Sequence, residues 1–442
     1  MDNWKFVTVL AGVLMATELQ AQSYELDAEA SDPREMGWMV GFPPPPDKLI
    51  APPTSEFMSF PKLRWTFCHF REVQPTRRVS RGLGPASELS EALDPAIDEL
   101  RFTPIGAEED MTWRESLDAN YTDGILIMHH GEIIYEYYSG CLDREGRHGA
   151  MSVTKSFVGT VAEILVAEGV LDEDAPVTQY VPELADSAFG SATVREVMDM
   201  TTSLDFNEDY ADPNADIWAY AAAGDPTPKP EDFEGARNFY EYLQGVEQAG
   251  DHGEAFAYKS VNTDALAWII ARASGKDFVE HLSERVWKPL GMEQEADIMV
   301  DSVGTPLSAG GLNLGLRDAA RFGQMMLQGG VYEGEQIIPE AVVTSISTGG
   351  DPSKFAPAGY ETLPGGSYRS QWWVLHNDNN AYSARGIHGQ AIYVDPTANM
   401  VIARFATFPV SANAMIDPTS LPAYQAVADY LVAKDDESKT NP

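Results

Sequence analysis

The stretch from residue 123 to 169 limits the fold of this chain more than any other segment. Residues 123–140 form two apolar, β-branched and aromatic runs on either side of His130-Gly131, which is the pattern of a β-hairpin. Residues 149–169 follow with small residues, a short polar start and a long apolar run that ends at a glycine, which predicts a buried helix. A hairpin followed by a buried helix requires a sheet with at least one face covered by helices.

Beyond this stretch the pattern changes from helical to extended and back. Helical patterns occupy residues 239–248, 261–276 and 319–330, strand patterns read "SQWWVLHN", "GQAIYVDP" and "MVIARFA", and a last helical pattern lies near 421–433. This order predicts an α/β (α+β) fold, an antiparallel sheet flanked by helices with an inserted helical lobe. We expect the helical lobe at about 152–290 and the α/β lobe at about 95–151 and 291–442.

The N-terminal residues differ from the rest of the chain. Residues 1–21 combine Lys5 with an apolar run that has the length of a signal-peptide core and is too short to span a bilayer. We expect a cleaved signal peptide and export to the periplasm or the medium, without stable membrane insertion afterwards; the alternative is a helix that stays attached. Residues 22–62 are rich in acids and prolines and predict a linker or a segment wrapped on the surface of a domain at 63–442.

The charge of the chain excludes one class of partner. Its 68 acidic residues outnumber 30 basic ones, for a formal net charge of −38. Such a surface repels phosphate backbones, so nucleic acid is not expected as a partner. The sequence has no G-x-G-x-x-G or P-loop motif, so we expect no nucleotide cofactor.

The histidines and cysteines lack the spacing of a known metal motif. His129 and His130 are adjacent in the predicted turn and cannot share a helical face as in H-E-x-x-H, so no metal is expected. Cys68 and Cys141 could pair or stay as two buried thiols, and both alternatives are open. The sequence does not predict the oligomeric state.

Ser152 and Lys155 are the first candidates for chemistry. Residues three apart on a helix share a face, so Lys155 can take the hydroxyl proton of Ser152 if burial lowers the lysine pKa. The backbone N–H of Ser152 at the helix start can donate to an oxyanion. The alternative is an ordinary polar start to a core helix. The same spacing recurs at Ser59 and Lys62, with a proline between them and no amphipathic helix after them, so the spacing alone does not define a site.

Two later segments carry groups that could complete such a site. Tyr258 precedes a predicted helix near Ser260, and a phenol among polar or cationic partners can titrate below its usual pKa and pass on a proton. A core aromatic at a helix start is the alternative. Residues 386–389 place two glycines around Ile387 and His388 beside a strand, where the N–H of Ile387 could be a second oxyanion donor. His388 is weaker as a Ser–His base, because the chain lacks a G-x-S-x-G elbow.

Five blocks in this order resemble the serine β-lactamase/penicillin-recognising superfamily of Ser–x–x–Lys hydrolases. They read "MSVTKSFVGTVAEILVAEGVLDEDAPVTQYVPEL", "VREVMDMTTSLDFNEDYADP", "FAYKSVNTDAL", "LSAGGLNLGLRDAARFGQMML" and "GIHGQAIYVDP". The resemblance is to the branch of 6-aminohexanoate-dimer-hydrolase-like enzymes and class C-like esterases, from about residue 63 onward. It implies a β-lactamase/transpeptidase-like fold and catalysis without a cofactor.

The resemblance also implies roles for the candidate catalytic residues. Ser152 resembles the acylated nucleophile, Lys155 its base, and Tyr258 the tyrosine that shares in proton transfer. The backbone N–H groups of Ser152 and Ile387 correspond to the oxyanion hole. Whether Lys155 or Tyr258 is the base in acylation stays open, because coupled groups titrate as a unit.

The resemblance further implies a set of substrate-binding residues. Tyr210 resembles a tyrosine that contacts substrate from a loop, and Ser260 replaces the usual asparagine. Residues 384–386, Ala-Arg-Gly, stand where β-lactamases and cell-wall peptidases have Lys-Thr-Gly, so the lysine that holds a substrate carboxylate is absent. Arg385 could partly replace that lysine, and His388 beside the strand completes the set.

A hydrolase of carboxylic esters or linear amides is therefore expected, with a small molecule as its partner. A β-lactamase or D-Ala-type peptidase is the first alternative. The second, from another class, is an inactive relative that binds peptides or cell-wall fragments.

Overall fold

The computed structural model describes residues 26–50 and 58–440, so the predicted signal peptide lies outside the described residues. The strands, numbered in chain order, are β1 (Thr76–Val79), β2 (Arg101–Phe102), β3 (Met111–Thr112), β4 (Thr122–His129), β5 (Glu132–Tyr138), β6 (His148–Gly149), β7 (Leu204–Asp205), β8 (Glu247–Gln248), β9 (Ala296–Met299), β10 (Leu312–Leu314), β11 (Val331–Tyr332), β12 (Glu335–Gln336), β13 (Ser367–Arg369), β14 (Trp372–Val374), β15 (Tyr382–Gly386), β16 (Gln390–Asp395) and β17 (Met400–Ala406).

The α-helices of the same residues are numbered in the same way. They are α1 (Pro33–Met36), α2 (Leu63–Thr66), α3 (Phe70–Val73), α4 (Trp113–Ala119), α5 (Val153–Ala167), α6 (Val194–Met198), α7 (Asp216–Ala223), α8 (Phe239–Gln244), α9 (Val261–Ser274), α10 (Phe278–Leu282), α11 (Leu316–Leu327), α12 (Glu340–Thr348), α13 (Pro352–Phe355) and α14 (Asp417–Thr440). None of the helices in the described ranges is both long enough and apolar enough to cross a bilayer.

A seven-stranded antiparallel sheet forms the centre of the fold. Its strand order is β13-β14-β15-β16-β17-β4-β5, and every neighbouring pair is antiparallel. The predicted hairpin is β4–β5, and β4 pairs in turn with β17, where Ile127 lies opposite Ile402. The sheet therefore joins segments from both ends of the domain around the helices between them, and the predicted fold class is confirmed.

Both faces of this sheet are covered. Along β4, Leu126 and Met128 belong to the larger core with α5, α9 and α11, whereas Ile125 and Ile127 belong to a second core with α4 and α14. Successive side chains of a strand point to opposite faces. The unbroken apolar run in the sequence thus reflects a sheet that is buried on both sides.

Helix α5 is buried around its whole circumference. All of its residues from Val153 to Leu165 are buried, and the chain turns away at Gly169, which has a φ of +69°. Gly159 allows close packing, since a Cβ there would lie 1.9 Å from the carbonyl oxygen of Ser370. A lysine in the first turn of this helix must lie in the interior, and that determines its chemistry.

The described part of the N-terminal segment packs on the domain. Trp38 and Ile50 are buried in one cluster with Leu63, Phe67 and Met151. This segment is therefore wrapped on the domain surface, one of the two arrangements that the sequence allows, and it does not extend away as a free linker.

A disulfide and a buried ion pair hold the residues around α2. Cys68 and Cys141 form a disulfide, with Cα atoms 5.9 Å apart. Of the two alternatives, a disulfide or two buried thiols, the structure therefore has the disulfide. Arg64 donates to Asp123 at 2.9 Å and to Thr407 at 2.8 Å, and its ion pair with Asp123 is fully buried. A buried charge is tolerated only when it is paired in this way.

Candidate active site

Ser152 and Lys155 meet at the start of α5. Lys155 Nζ lies 3.0 Å from Ser152 Oγ and 2.5 Å from the carbonyl oxygen of Ala309. The lysine is 1% exposed and the serine 8% exposed. The lysine nitrogen is therefore held in place and directed at the serine hydroxyl.

The pKa of Lys155 suits a general base. Burial lowers it from the usual 10.5 to about 8, against the opposing charges of Glu208 and Asp264. At pH 7 about one lysine in ten is then neutral, and at pH 8 about half. A neutral amine 3.0 Å from the serine hydroxyl can accept its proton.

Tyr258 lies against the same lysine. The lysine Nζ is 5.2 Å from the centre of the phenol ring, which stacks on Trp373 at 5.5 Å. Burial raises the pKa of Tyr258 well above 10, the charge of Glu208 raises it further, and a hydrogen bond with Ser152 opposes both. The expectation that Tyr258 titrates below its usual pKa is therefore wrong. The phenol is uncharged at pH 7 and can relay a proton. Of the two groups, Lys155 has the pKa closer to 7 and is the better candidate for the base.

Strand β15 contacts the start of α5 through a glycine. A Cβ on Gly386 would lie 2.7 Å from the carbonyl oxygen of Ala150 and 3.1 Å from the backbone nitrogen of Ser152. Only glycine permits this approach of two backbones. This contact places the two predicted oxyanion donors, the backbone N–H groups of Ser152 and Ile387, on two segments that are neighbours in space.

Tyr210 and Ser260 are joined by a carboxylate that the sequence did not single out. Glu208 accepts hydrogen bonds from Ser260 N at 2.6 Å, Ser260 Oγ at 2.5 Å and Tyr210 Oη at 3.3 Å. Its charge also raises the pKa values of Lys155 and Tyr258. Glu208 therefore connects the Tyr210 loop with the start of α9 and acts on both proton-transfer groups.

A second carboxylate near Lys155 was also missed. Asp264 lies on α9, accepts from Ser308 N at 2.9 Å and from the hydroxyl of Tyr220, and is buried. Burial raises its pKa to about 7, and the charge of Lys155 opposes that shift. Among 68 acidic residues, no local pattern separates Glu208 and Asp264 from the rest.

The structure shows the surroundings of two other predicted substrate-binding residues, whose roles stay predictions. Arg385 donates to Asp417, and its guanidinium lies 5.5 Å from the Trp373 ring, so an ion pair offsets its charge. His388 is buried, with Nδ1 2.7 Å from the carbonyl oxygen of Phe408, and burial lowers its pKa to about 4. Its ring also packs edge-on against the ring of Phe67.

Glu208→Gln is expected to lower kcat/KM about 10- to 100-fold, the equivalent of one or two charge-assisted hydrogen bonds. Because the Glu208 charge raises the pKa of Lys155, its removal should also move the acidic limb of the pH profile to lower pH. The measurement is kcat/KM against pH, with the exposed Asp205→Asn in the same acidic segment as control. A uniform loss with an unmoved limb would assign Glu208 a purely structural role and contradict this account.

The fold and the site define a class of protein: a serine hydrolase of the Ser–x–x–Lys type, built on an antiparallel sheet covered by helices. The family model described as Beta-lactamase matches residues 121–421, and the chain belongs to that family. The resemblance found in the sequence is thereby confirmed.

Relatives place the chain within the family. The 6-aminohexanoate-dimer hydrolase of Paenarthrobacter ureafaciens is 37% identical over 368 residues, which cover 81% of this chain and 88% of the relative. Esterase EstB of Burkholderia gladioli is 27% identical over 223 residues, which cover 46% and 54%. A solved Bacillus anthracis structure, provisionally named a 6-aminohexanoate-dimer hydrolase, superposes with a TM-score of 0.77 at 30% identity and covers 85% of this chain and 96% of that one.

Proposed function

We propose that this protein cleaves carboxylic esters or linear amides through an acyl-enzyme formed on Ser152. One observation carries the proposal: Lys155 Nζ lies 3.0 Å from Ser152 Oγ in a buried site that lowers the lysine pKa to about 8. A serine hydroxyl becomes a nucleophile when such a base removes its proton.

The first half of the reaction forms the acyl-enzyme. Neutral Lys155 takes the proton as Ser152 Oγ bonds to the carbonyl carbon, and the N–H groups of Ser152 and Ile387 donate to the oxyanion. Collapse of the tetrahedral intermediate breaks the bond to the alcohol or amine. The leaving group receives its proton from the Lys155 ammonium, with the neutral phenol of Tyr258 as relay.

The second half releases the acid and restores the enzyme. Water attacks the acyl carbonyl and gives a proton to neutral Lys155, and the same donors bind the new oxyanion. The bond to Ser152 Oγ then breaks, the serine regains its proton, and the carboxylic acid leaves. No external acid, base or oxidant is consumed.

The substrate class is proposed from the wall of the site and from the relatives. Tyr258 and Tyr360 both pack on Trp373, and Tyr258 lies beside Lys155, so these rings would form the surface that receives an apolar chain. The lysine of the Lys-Thr-Gly motif is absent, and Arg385 is paired with Asp417. The site therefore lacks the cation that holds a substrate carboxylate, which disfavours β-lactams and D-Ala peptides. The named amide hydrolase and esterase relatives support linear amides and esters instead.

A substrate panel tests this proposal. The wild type is assayed with p-nitrophenyl esters, the 6-aminohexanoate dimer and a chromogenic cephalosporin, with Ser152→Ala as the blank for each. We expect kcat/KM for an ester or the linear dimer to exceed that for the cephalosporin at least about 100-fold, a difference of about 3 kcal/mol in transition-state binding. Faster cephalosporin turnover would favour a β-lactamase, and no turnover of any substrate would favour an inactive binding relative.

We also propose that the chain is exported. The bonded Cys68 and Cys141 support this, because structural disulfides persist in oxidising compartments. Fractionation of expressing cells with N-terminal sequencing is the measurement, and a mature terminus near residue 22 outside the cytoplasm is expected. Cytoplasmic protein that keeps residues 1–21 would contradict export.

A further inference from the structure

We propose that His129, His130 and Asp435 form a binding site for a divalent transition-metal ion such as Zn²⁺. The histidines lie at the tip of the β4–β5 hairpin, and the aspartate lies near the end of α14. One ligand atom from each residue, a ring nitrogen of either histidine and a carboxylate oxygen of Asp435, lies within 4.8 Å of the other two. The site is separate from the chemistry of Ser152, and the proposal does not depend on the proposed function.

The backbone at the hairpin tip turns both rings to the same side. Adjacent residues of a strand point to opposite faces. His130 leaves the strand with a φ of +50°, and its ring centre lies 4.1 Å from that of His129. Two consecutive imidazoles therefore face one carboxylate.

The distances match the size of a metal ion. His129 Nε2 and His130 Nε2 lie 3.4 Å and 2.8 Å from Asp435 Oδ2. In a tetrahedral zinc site, bonds of about 2.0–2.2 Å place neighbouring ligand atoms about 3.3–3.5 Å apart. Side-chain rotations that bring the three ligand atoms to this spacing would place all three groups on one ion.

A buried ring nitrogen supports the site independently. The side chain of His129 is 11% exposed, and within the described residues its Nε2 makes no hydrogen bond of normal geometry. Its contact with Asp435 is the 3.4 Å ion pair, and a shared metal ion would bond to both groups.

A second contact holds the ring of His130 in position. Its Nδ1 lies 2.7 Å from the side-chain amide of Asn399. The amide nitrogen of Asn399 donates to this Nδ1, which fixes the ring and directs Nε2 at Asp435, where a metal ion would displace the Nε2 proton. Two imidazoles and one carboxylate favour Zn²⁺, Cu²⁺ or Ni²⁺ over Mg²⁺ and Ca²⁺.

The location indicates what such an ion would do. The side chains of His130 and Asp435 are 51% and 30% exposed, so an ion can enter from solvent and water can fill the remaining position. In the sheet order β4 is three strands from β15, a distance of about 14 Å. A bound ion would fasten α14 to the hairpin and would not take part in hydrolysis.

Zinc titration of the full chain, after dialysis against a chelator, tests the site. Calorimetry with ZnCl₂ should give one saturable ion per chain, and zinc should raise the Tm. His130→Ala and Asp435→Asn should each weaken binding more than tenfold and abolish the rise in Tm. Asn399→Ala should weaken binding about tenfold, as expected for an outer partner of a ligand.

The control is Asp429→Asn, the same chemical change at an exposed position of α14. It should bind zinc as the wild type does, which separates the site from general attraction to an acidic surface. Equal affinity in His130→Ala, or no one-to-one binding by the wild type, overturns the proposal. The visible spectrum of Co²⁺ with the wild type needs no variant: four-coordinate bands are expected, and the spectrum of hydrated Co²⁺ would likewise overturn it.

Discussion

Ser152→Ala is expected to reduce hydrolysis of the best substrate about 10⁴- to 10⁶-fold, the range seen when a serine hydrolase loses its nucleophile. The reason is that Ser152 Oγ forms the covalent bond to the acyl group, and alanine offers no atom in its place. The loss should appear in kcat, because groups that bind substrate are untouched. The measurement is steady-state kinetics with the best substrate of the panel.

The chain contains a matched control for this substitution. Ser59 also precedes a lysine by three residues, but its side chain is exposed and no long helix follows it. Ser59→Ala should leave kcat/KM unchanged. Equal losses in the two variants, or activity of Ser152→Ala within tenfold of wild type, would contradict the assignment.

Lys155→Ala is expected to lower kcat/KM about 10³- to 10⁴-fold and to change its pH dependence. Since the pKa of Lys155 is about 8, most of the lysine is protonated at lower pH and cannot accept the serine proton. Wild-type kcat/KM should therefore rise with pH up to about 8 and level off above it. In Lys155→Ala this acidic limb should be absent from the residual activity. Lys155→Arg should not restore activity, because a guanidinium stays protonated.

The same profile decides between the two proposed bases. An acidic limb that persists unchanged in Lys155→Ala would contradict the role of Lys155 and transfer proton acceptance to Tyr258. Burial and the Glu208 charge keep the pKa of Tyr258 well above 10, so Tyr258→Phe should lower the rate without moving the limb near pH 8.

Local patterns were sufficient to predict the architecture. The β4–β5 hairpin and α5 were readable because strand and helix periods are properties of neighbouring residues. The ends of elements were less accurate. The pattern at 239–248 is a helix only to Gln244, since Gly245 ends it before β8. Helix α14 begins at Asp417 instead of near 421, because Pro422 inside the helix interrupts the helical pattern of the sequence there.

The site could be predicted only in part, for a physical reason. Ser152 and Lys155 are one helical turn apart, so their contact follows from sequence spacing. Contacts between distant segments leave no such trace: Glu208 meets Ser260 across 52 positions, and His130 meets Asp435 across 305.

Long-range contacts also account for features of the site that local patterns could not show. Arg385 is paired with Asp417, and His388 is hydrogen-bonded to Phe408. The pKa of Tyr258 rises because burial and the Glu208 charge, which only the folded chain reveals, outweigh its hydrogen bond to Ser152.

Intact-protein mass spectrometry tests the central claim most directly. Wild-type protein is treated with a fluorophosphonate or quenched during turnover of a p-nitrophenyl ester, and the modified peptide is then sequenced. We predict one added phosphonyl or acyl group per chain, located on Ser152, and no addition to Ser152→Ala. Modification of another residue, or turnover of ester without any modification of Ser152, would contradict the account.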